Sequence, residues 1–247
     1  MTTFLEKEIP YGKLEKFGLT KEMMDDLPRS VIKKLLSGAW TPVLPVVVEN
    51  EKKEKTKAYA RIAMVRLADK TVDVKFAPYC GFASLDDYTP EQQKTLQEGG
   101  VIIVPQKKDG TEEVCYLELD EALGQVMYVP ARIIIQNIEV MVNEGLITED
   151  QAKRLNNAEL VTIEDTATIG IDLLEQDGVR IVNGDAEDWR EERKFATEMP
   201  KYNFAEHGCW MTESDGKMNY VEEEQYTEEM KKYQVQKGLQ SAASIHF

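Results

Sequence analysis

The sequence predicts an α+β protein in which short helices are followed by small, mainly antiparallel β hairpins, and it predicts that this order repeats. Three observations carry that prediction. Thr89-Pro90-Glu91-Gln92 and Thr148-Glu149-Asp150-Gln151 are both capping boxes, in which a Thr side chain and a Gln three residues later close off the backbone N–H groups at a helix start. Runs rich in Val, Ile, Tyr and Thr between turn residues read as strands. The two boxes are each followed by such runs, at a period of about sixty residues.

In the opening stretch, Ile9 to Val46, the apolar residues Leu14, Phe17, Met23, Met24, Leu27, Val31, Ile32, Leu35 and Leu36 recur at three- and four-residue steps. Gly18 and Pro28 interrupt them, which predicts two or three short helices. Thr20 is placed to cap the segment from Lys21, Pro28 suits the first turn of the helix carrying Val31 to Leu36, and Gly38 supplies its stop. Strands are expected at Leu44 to Val48, Ala58 to Leu67 and Thr71 to Ala77, with a charged turn at Glu51 to Lys57.

From Thr89 a helix is expected to run to Gly99-Gly100, then strands at Val101 to Val104, Val114 to Leu119 and Gln125 to Val129. Ala131 to Val142 is apolar at Ile134, Ile135, Ile138, Met141 and Val142, which favours helix over an extension of the preceding strand. The second box opens a helix ending near Asn156-Asn157, followed by strands at Leu160 to Ile163, Thr168 to Leu174 and Val179 to Val182. Thr20 with Leu44 to Val48 reads as a looser third copy. Beyond Asp185 come an amphipathic stretch to Thr197, a hairpin from Gly208 to Val221 turning at Ser214-Asp215-Gly216, and a helix from Tyr226 to Lys237 with Gly238 at its end. The tail from Ser241 to Phe247 is expected to fray.

This order divides the chain into an N-terminal helical module at 1–46, α+β units at 47–135 and 136–184, and an acidic region at 185–247. Net charge is -15, and Gly184 to Glu229 holds 14 Asp/Glu against 5 Lys/Arg, so direct binding to a phosphate backbone is disfavoured. No run is apolar enough for a membrane span, and charges interrupt MTTFLEKEIP where a secretory signal needs an apolar core. Cytoplasmic retention is the expectation. Cys80, Cys115 and Cys209 are sparse and odd in number, which reads as reduced thiols.

At Ile9-Pro10-Tyr11, Leu14-Glu15, Gly18-Leu19 and Leu35-Leu36-Ser37-Gly38, with Pro42 to Val46 after them, the chain resembles an N-terminal domain-of-unknown-function family of Bacteroidetes conjugative and mobile-element proteins. Glu91-Gln92 through Leu96 to Gly99 resemble a companion domain, in which a Glu-Gln-x-x-x-Leu-x-x-Gly helix leads into a hairpin; Gln151 to Leu155 match without the glycine. The resemblance touches residues 9 to about 183 and implies a mobile-element or phage-like setting, with no catalytic residues to carry over.

The residues offer little chemistry. Glu206-His207-Gly208-Cys209 lacks the second ligand pair of a zinc site, Cys80 has only His207 and His246 as bases anywhere in the chain, and neither Asp86-Asp87 nor Glu222-Glu223-Glu224 has the alternating ligands of a calcium loop. Gly99-Gly100 ends a helix rather than starting one, so it is not a phosphate loop, and the lysines at 52, 53, 55 and 57 are interleaved with Glu51 and Glu54. Neither a cofactor nor a metal is expected. Trp40 reads as core. Partner-binding candidates are Trp189, Tyr202, Phe204, Trp210 and Tyr220 as aromatic anchors and Glu222, Glu223 and Glu224 as an acidic face. The expected function is non-enzymatic protein binding or assembly, cytoplasmic or virion-associated; the alternative is an acidic nucleic-acid mimic that inhibits a DNA- or RNA-binding protein.

Overall fold

The Thr20 hydroxyl accepts from the Met23 N–H at 3.3 Å and starts the first helix that the sequence marks. In the computed structural model, which describes residues 3–49, 52–79, 81, 84–108, 110–164, 166–195 and 199–243, that pattern of a capped helix followed by a sheet is carried through the chain. Among the described residues there are eight α-helices and twelve strands, the strands forming four antiparallel three-stranded sheets, so the fold is α+β with a repeated small sheet.

The first unit holds α1 (Tyr11–Leu14), α2 (Lys21–Asp25), α3 (Arg29–Ser37), β1 (Leu44–Glu49), β2 (Lys55–Arg66) and β3 (Val72–Pro78). Pro28 stands at the N-cap of α3, one position earlier than its expected place in the first turn, and Gly38 ends the helix at φ 77°. Alternation along β2 sends Ala60, Ile62 and Met64 into a core with Leu14, Leu19, Met24, Val31 and Leu35 of the helical segment. Because β1 pairs with β2 from Leu44↔Ala60 to Glu49↔Lys55, one sheet joins the helical module to the strands after it.

The second unit is α4 (Pro90–Gln97), β4 (Val101–Lys108), β5 (Thr111–Asp120) and β6 (Gln125–Pro130); the third is α5 (Ala131–Asn143), α6 (Glu149–Asn156), β7 (Val161–Ile163), β8 (Ala167–Ile171) and β9 (Val179–Asn183). A constant offset of 59 residues relates them: Thr89 and Thr148 both cap, Gln92 and Gln151 both bond back to the cap N–H, and Leu96 and Leu155 are both fully buried. The helix stops also match. Gly99 N donates to Leu96 O at 3.0 Å, and Ala158 N donates to Leu155 O at 2.8 Å. Ala158 takes the left-handed φ of 59° that Gly99 takes at 74°. The first unit keeps Leu27, buried, seven residues after Thr20, but Met23 replaces the glutamine and the reciprocal cap bond is lost.

A fourth unit completes the chain: α7 (Ala186–Phe195), β10 (Tyr202–Phe204), β11 (Gly208–Thr212), β12 (Met218–Glu222) and α8 (Glu228–Ala243). Asp185 and Asp188 form its cap, the Asp188 N–H donating to Asp185 and the Asp185 N–H to Asp188. Two details differ from the sequence reading. Tyr202–Phe204 is an added strand, and α8 runs through Gly238 to Ala243. A glycine in right-handed conformation weakens a helix by only about 1 kcal/mol and ends it only where a left-handed residue is required. The last four tail residues, His246 among them, lie outside the described residues.

Buried polar bonds connect the units. Arg61 on β2 forms a two-pronged ion pair with Asp120 at the end of β5, Nη2 to Oδ1 at 2.9 Å, while its Nη1 donates to Thr41 O at 2.7 Å; the side chains are 6% and 2% exposed. Asp120 also accepts from the Ala122 and Leu123 N–H groups. Glu118 accepts from Leu173 N at 2.8 Å, and Trp40 N donates to Leu174 O at 2.9 Å. Between β8 and β9, Arg180 bridges Asp172 (2.6 Å) and Glu175 (2.8 Å).

Candidate protein-interaction face

The fourth sheet buries a different core on each of its faces, as strand alternation requires. Cys209, Met211 and Val221 point to one side with Tyr202 and Phe204, where Tyr226, Met230 and Tyr233 cover them. Tyr202 and Tyr233 meet edge-on with centroids 5.2 Å apart, as do Phe204 and Tyr226 at 5.4 Å. Trp210, Met218 and Tyr220 point to the other side and enter the core of the first unit, where Trp210 and Met218 are fully buried. Trp210 Nε1 donates to Met23 O at 2.9 Å, and its ring meets Tyr220 edge-on at 5.3 Å.

Asp26 closes this contact. Buried at the C-cap of α2, it accepts from the Glu206 and His207 N–H groups at 3.1 and 3.0 Å and from the Tyr220 hydroxyl at 2.6 Å. Lys57 Nζ and Tyr59 Oη both donate to Asn219 Oδ1, at 2.7 and 3.0 Å, and Met218 N donates to Val43 O at 2.8 Å. Lys217 lies over the Tyr79 ring, 4.2 Å from its centroid.

One consequence is an acidic rim. Glu206 and His207 are exposed in the turn before β11, and Gly208 next to them pairs with Glu222, which is exposed at the end of β12. Glu223 and Glu224 follow in an exposed 3-10 turn, and α2, which carries Glu22 and Asp25, ends at the Asp26 that holds the Glu206 and His207 N–H groups. A backbone N–H holds the Glu22 carboxyl below the usual range, and Lys21 does the same for Asp25. Beneath the rim, burial pushes the Tyr226 hydroxyl up to about 12 and raises Tyr220, to which the Asp26 hydrogen bond adds.

The aromatic candidates thus separate. Tyr202 and Phe204 belong to the internal core of the fourth unit, Trp210 and Tyr220 anchor it to the first, and Trp189 lies elsewhere, 4% exposed beneath the third sheet, with Nε1 donating to Arg180 O at 3.2 Å. Gly170 gives Trp189 its room: a Cβ there would meet the indole at 2.7 Å. Of the eight candidates, Glu222, Glu223 and Glu224 are the exposed ones. Asp26 and Asn219, which fix the arrangement, carry no sequence signal, since a lone Asp after a helix reads as solvated.

The reactive candidates do not converge. His207 is exposed, whereas Cys209, two residues on, is fully buried on the α8 side, and burial pushes its thiol up to about 11. Cys115 is likewise buried and raised, first by desolvation. Cys80 lies outside the described residues. Asp86 and Asp87 are exposed ahead of α4, where Asp86 bonds Ser84 at 2.7 Å. Trp40 is half-buried against Val43 and Leu123. Among the described residues, no group of three or more His, Cys, Asp or Glu could hold a metal, and no helix is long and apolar enough to cross a membrane.

Charge is divided along the chain in the same sense. Residues 4–83 carry 15 Lys/Arg and 11 Asp/Glu, and residues 84–247 carry 15 and 34. No curated protein and no solved structure matches the chain. Residues 4–83, the first unit that receives Trp210 and Tyr220, match the family described as Protein of unknown function (DUF4099).

Proposed function

We propose that the chain is a non-enzymatic binding or assembly protein of a mobile element or phage-like genome, acting in the cytoplasm through a protein partner. The setting rests on the resemblance of the N-terminal segment and of the Thr-x-x-Gln helices to mobile-element families. Binding rests on one observation above all: the exposed Glu206 stands beside the Gly208–Glu222 strand pair, Glu223 and Glu224 follow in the same exposed turn, and α2 with Glu22 and Asp25 is tied to this turn through Asp26. Asp26 and Tyr220 fix the backbone beneath them, so little ordering entropy is lost when a partner docks. A rim of this charge fits a basic protein surface, whose approach it would steer. The raised, buried thiols of Cys115 and Cys209 favour binding over nucleophilic chemistry.

The test is capture from the native host with the intact chain and with a Glu222→Lys, Glu223→Lys, Glu224→Lys variant, the bound complex being weighed. Loss of the partner from the variant, and release of it from the unaltered chain by salt, are expected. Retention by the variant would remove the rim from the reading. Three consecutive exposed carboxylates also favour the narrower role of a nucleic-acid mimic. In that case a nucleic acid bound by the captured partner would displace the chain, and simultaneous binding of both would exclude mimicry.

A further inference from the structure

α5 and α6 pack against each other across a short turn, and between them runs a groove of about 370 Å³. The turn has local causes: Gly145 stops α5 at φ 72°, the Leu146 N–H donates to Met141 O at 2.9 Å, and Thr148 caps α6. One stripe of each helix forms the walls, Glu139, Val142 and Asn143 from α5 and Glu149, Ala152 and Asn156 from α6. Ala152 is buried and Val142 half-buried over the core of the third unit, so the floor is apolar. The volume stands at the small end of ligand pockets, roughly 300–1,000 Å³, and suits one long side chain.

Asn156 Oδ1 lies in this groove, shut off from solvent and without a hydrogen-bond partner among the described residues. The main chain of the same residue is satisfied, its carbonyl accepting from the Tyr116 hydroxyl at 2.8 Å. An unmet buried acceptor costs stability. The repeat does not require one, since Gln97, at the equivalent position of α4, is exposed. The third unit therefore holds an acceptor that the fold does not use. Glu139 and Glu149 are exposed on the two walls, while the Lys153 ammonium is turned to Asp150 at 2.9 Å, which leaves the groove with a negative field. Val140, on α5 beside Glu139, and Leu146 in the turn are exposed apolar residues at its border.

A guanidinium answers this combination. Its planar fork of N–H donors reaches an amide oxygen and a carboxylate together, and its stem lies on an apolar floor. An ammonium is a compact, strongly hydrated charge and loses more water in a narrow groove. Val140 and Leu146 add contacts for apolar neighbours of the arginine, which only a peptide brings. We propose that the groove between α5 and α6 binds an arginine side chain of a protein partner, Asn156 Oδ1 and the Glu139 carboxylate receiving the guanidinium while Val140 and Leu146 meet apolar residues beside it. The groove shares no residue with the acidic rim of the fourth unit, so each reading can fail without the other.

The probe is the peptide acetyl-Leu-Arg-Leu-amide, added to the isotopically labelled full-length chain and followed by nuclear magnetic resonance. Two further peptides carry citrulline, which keeps the shape and loses the charge, or lysine at the centre. Saturable shifts of the Glu139, Asn143 and Ala152 backbone amides and of the Asn156 side-chain amide are expected. The citrulline and lysine peptides should bind about tenfold more weakly, the worth of one hydrogen bond from a charged donor. Asn156→Ala should bind the arginine peptide about tenfold more weakly yet melt no lower than the unaltered chain, because the lost oxygen bonds nothing within the fold. Glu139→Gln should weaken binding in the same way at an unchanged melting point. A lower melting point for Asn156→Ala would make the amide part of the fold and overturn the inference, as would unchanged binding by either variant. Equal binding of the three peptides, or unsaturable shifts that spread to Glu222, Glu223 and Glu224, would show attraction to carboxylates in general and overturn it equally.

Discussion

The Tyr220 hydroxyl donates to Asp26 Oδ2 at 2.6 Å across 194 residues of chain. Removing the carboxylate strands this hydroxyl and two backbone N–H groups in a part-buried place. Asp26→Ala is expected to lower stability by about 3 kcal/mol, since buried donors without acceptors cost about 1–3 kcal/mol and bonds to charged groups lie at the upper end. Tyr220→Phe leaves the backbone bonds to Asp26 in place and should cost only about 1–2 kcal/mol. Urea unfolding of both variants measures this. Equal losses would mean that the phenol alone holds the contact.

Arg61 and Asp120 are expected to show strong coupling. Each single replacement, Arg61→Met or Asp120→Leu, leaves a buried charge without its partner and should cost about 3–5 kcal/mol. The double variant should be less destabilised than the sum of the singles, because no charge is left stranded. A double-mutant cycle on unfolding free energies gives the coupling, and simple additivity would show that the pair contributes nothing specific.

At the two related helix stops, glycine and alanine should trade in opposite senses. Gly99→Ala puts a Cβ at φ 74° and is expected to destabilise by about 1 kcal/mol. Ala158→Gly relieves the same strain at φ 59° but loosens the unfolded chain, so its gain should be smaller, about 0.5 kcal/mol. Thermal midpoints of the two variants check the sign at each site.

The C-terminal unit should weaken in alkali. Cys209 in the folded chain titrates near 11 against an ordinary 9.0, Tyr226 near 12 against 10.0, and Tyr220 is raised as well. The folded state therefore holds protons that the unfolded state has already lost, and stability falls as pH rises. That loss begins near the ordinary values of 9.0 and 10.0 and continues through the folded ones. Tyr226→Phe should flatten the upper part of the curve, which a pH series of denaturant midpoints reads directly. Alkylation of Cys209 at neutral pH should be slow until the chain is unfolded.

Much of the local structure could be read from residues because its causes are local. Thr89, Thr148 and Thr20 cap the helices they mark, Gly99 and Gly38 stop α4 and α3, and the Ser214-Asp215-Gly216 turn joins β11 to β12. The family match at 4–83 falls on the segment whose Ile-Pro-Tyr and Leu-Leu-Ser-Gly motifs suggested such a family. Asp26 was invisible for the opposite reason. Nothing within a helical turn of it distinguishes a solvated carboxylate from one that holds residues 206, 207 and 220.

By itself the sequence determined most of the helices and strands, though not the strand Tyr202–Phe204 or the full length of α8, along with the echo at about sixty residues and the acidic end of the chain. Cap geometry, strand alternation and net charge act over a few residues or over none in particular. Tertiary structure alone decided that the two faces of the fourth sheet differ, with Cys209 serving its own core and Trp210 that of the first unit. It also decided which carboxylates share a rim. Those outcomes depend on which distant surface covers each face, and alternation specifies that a strand has two faces without specifying what meets them.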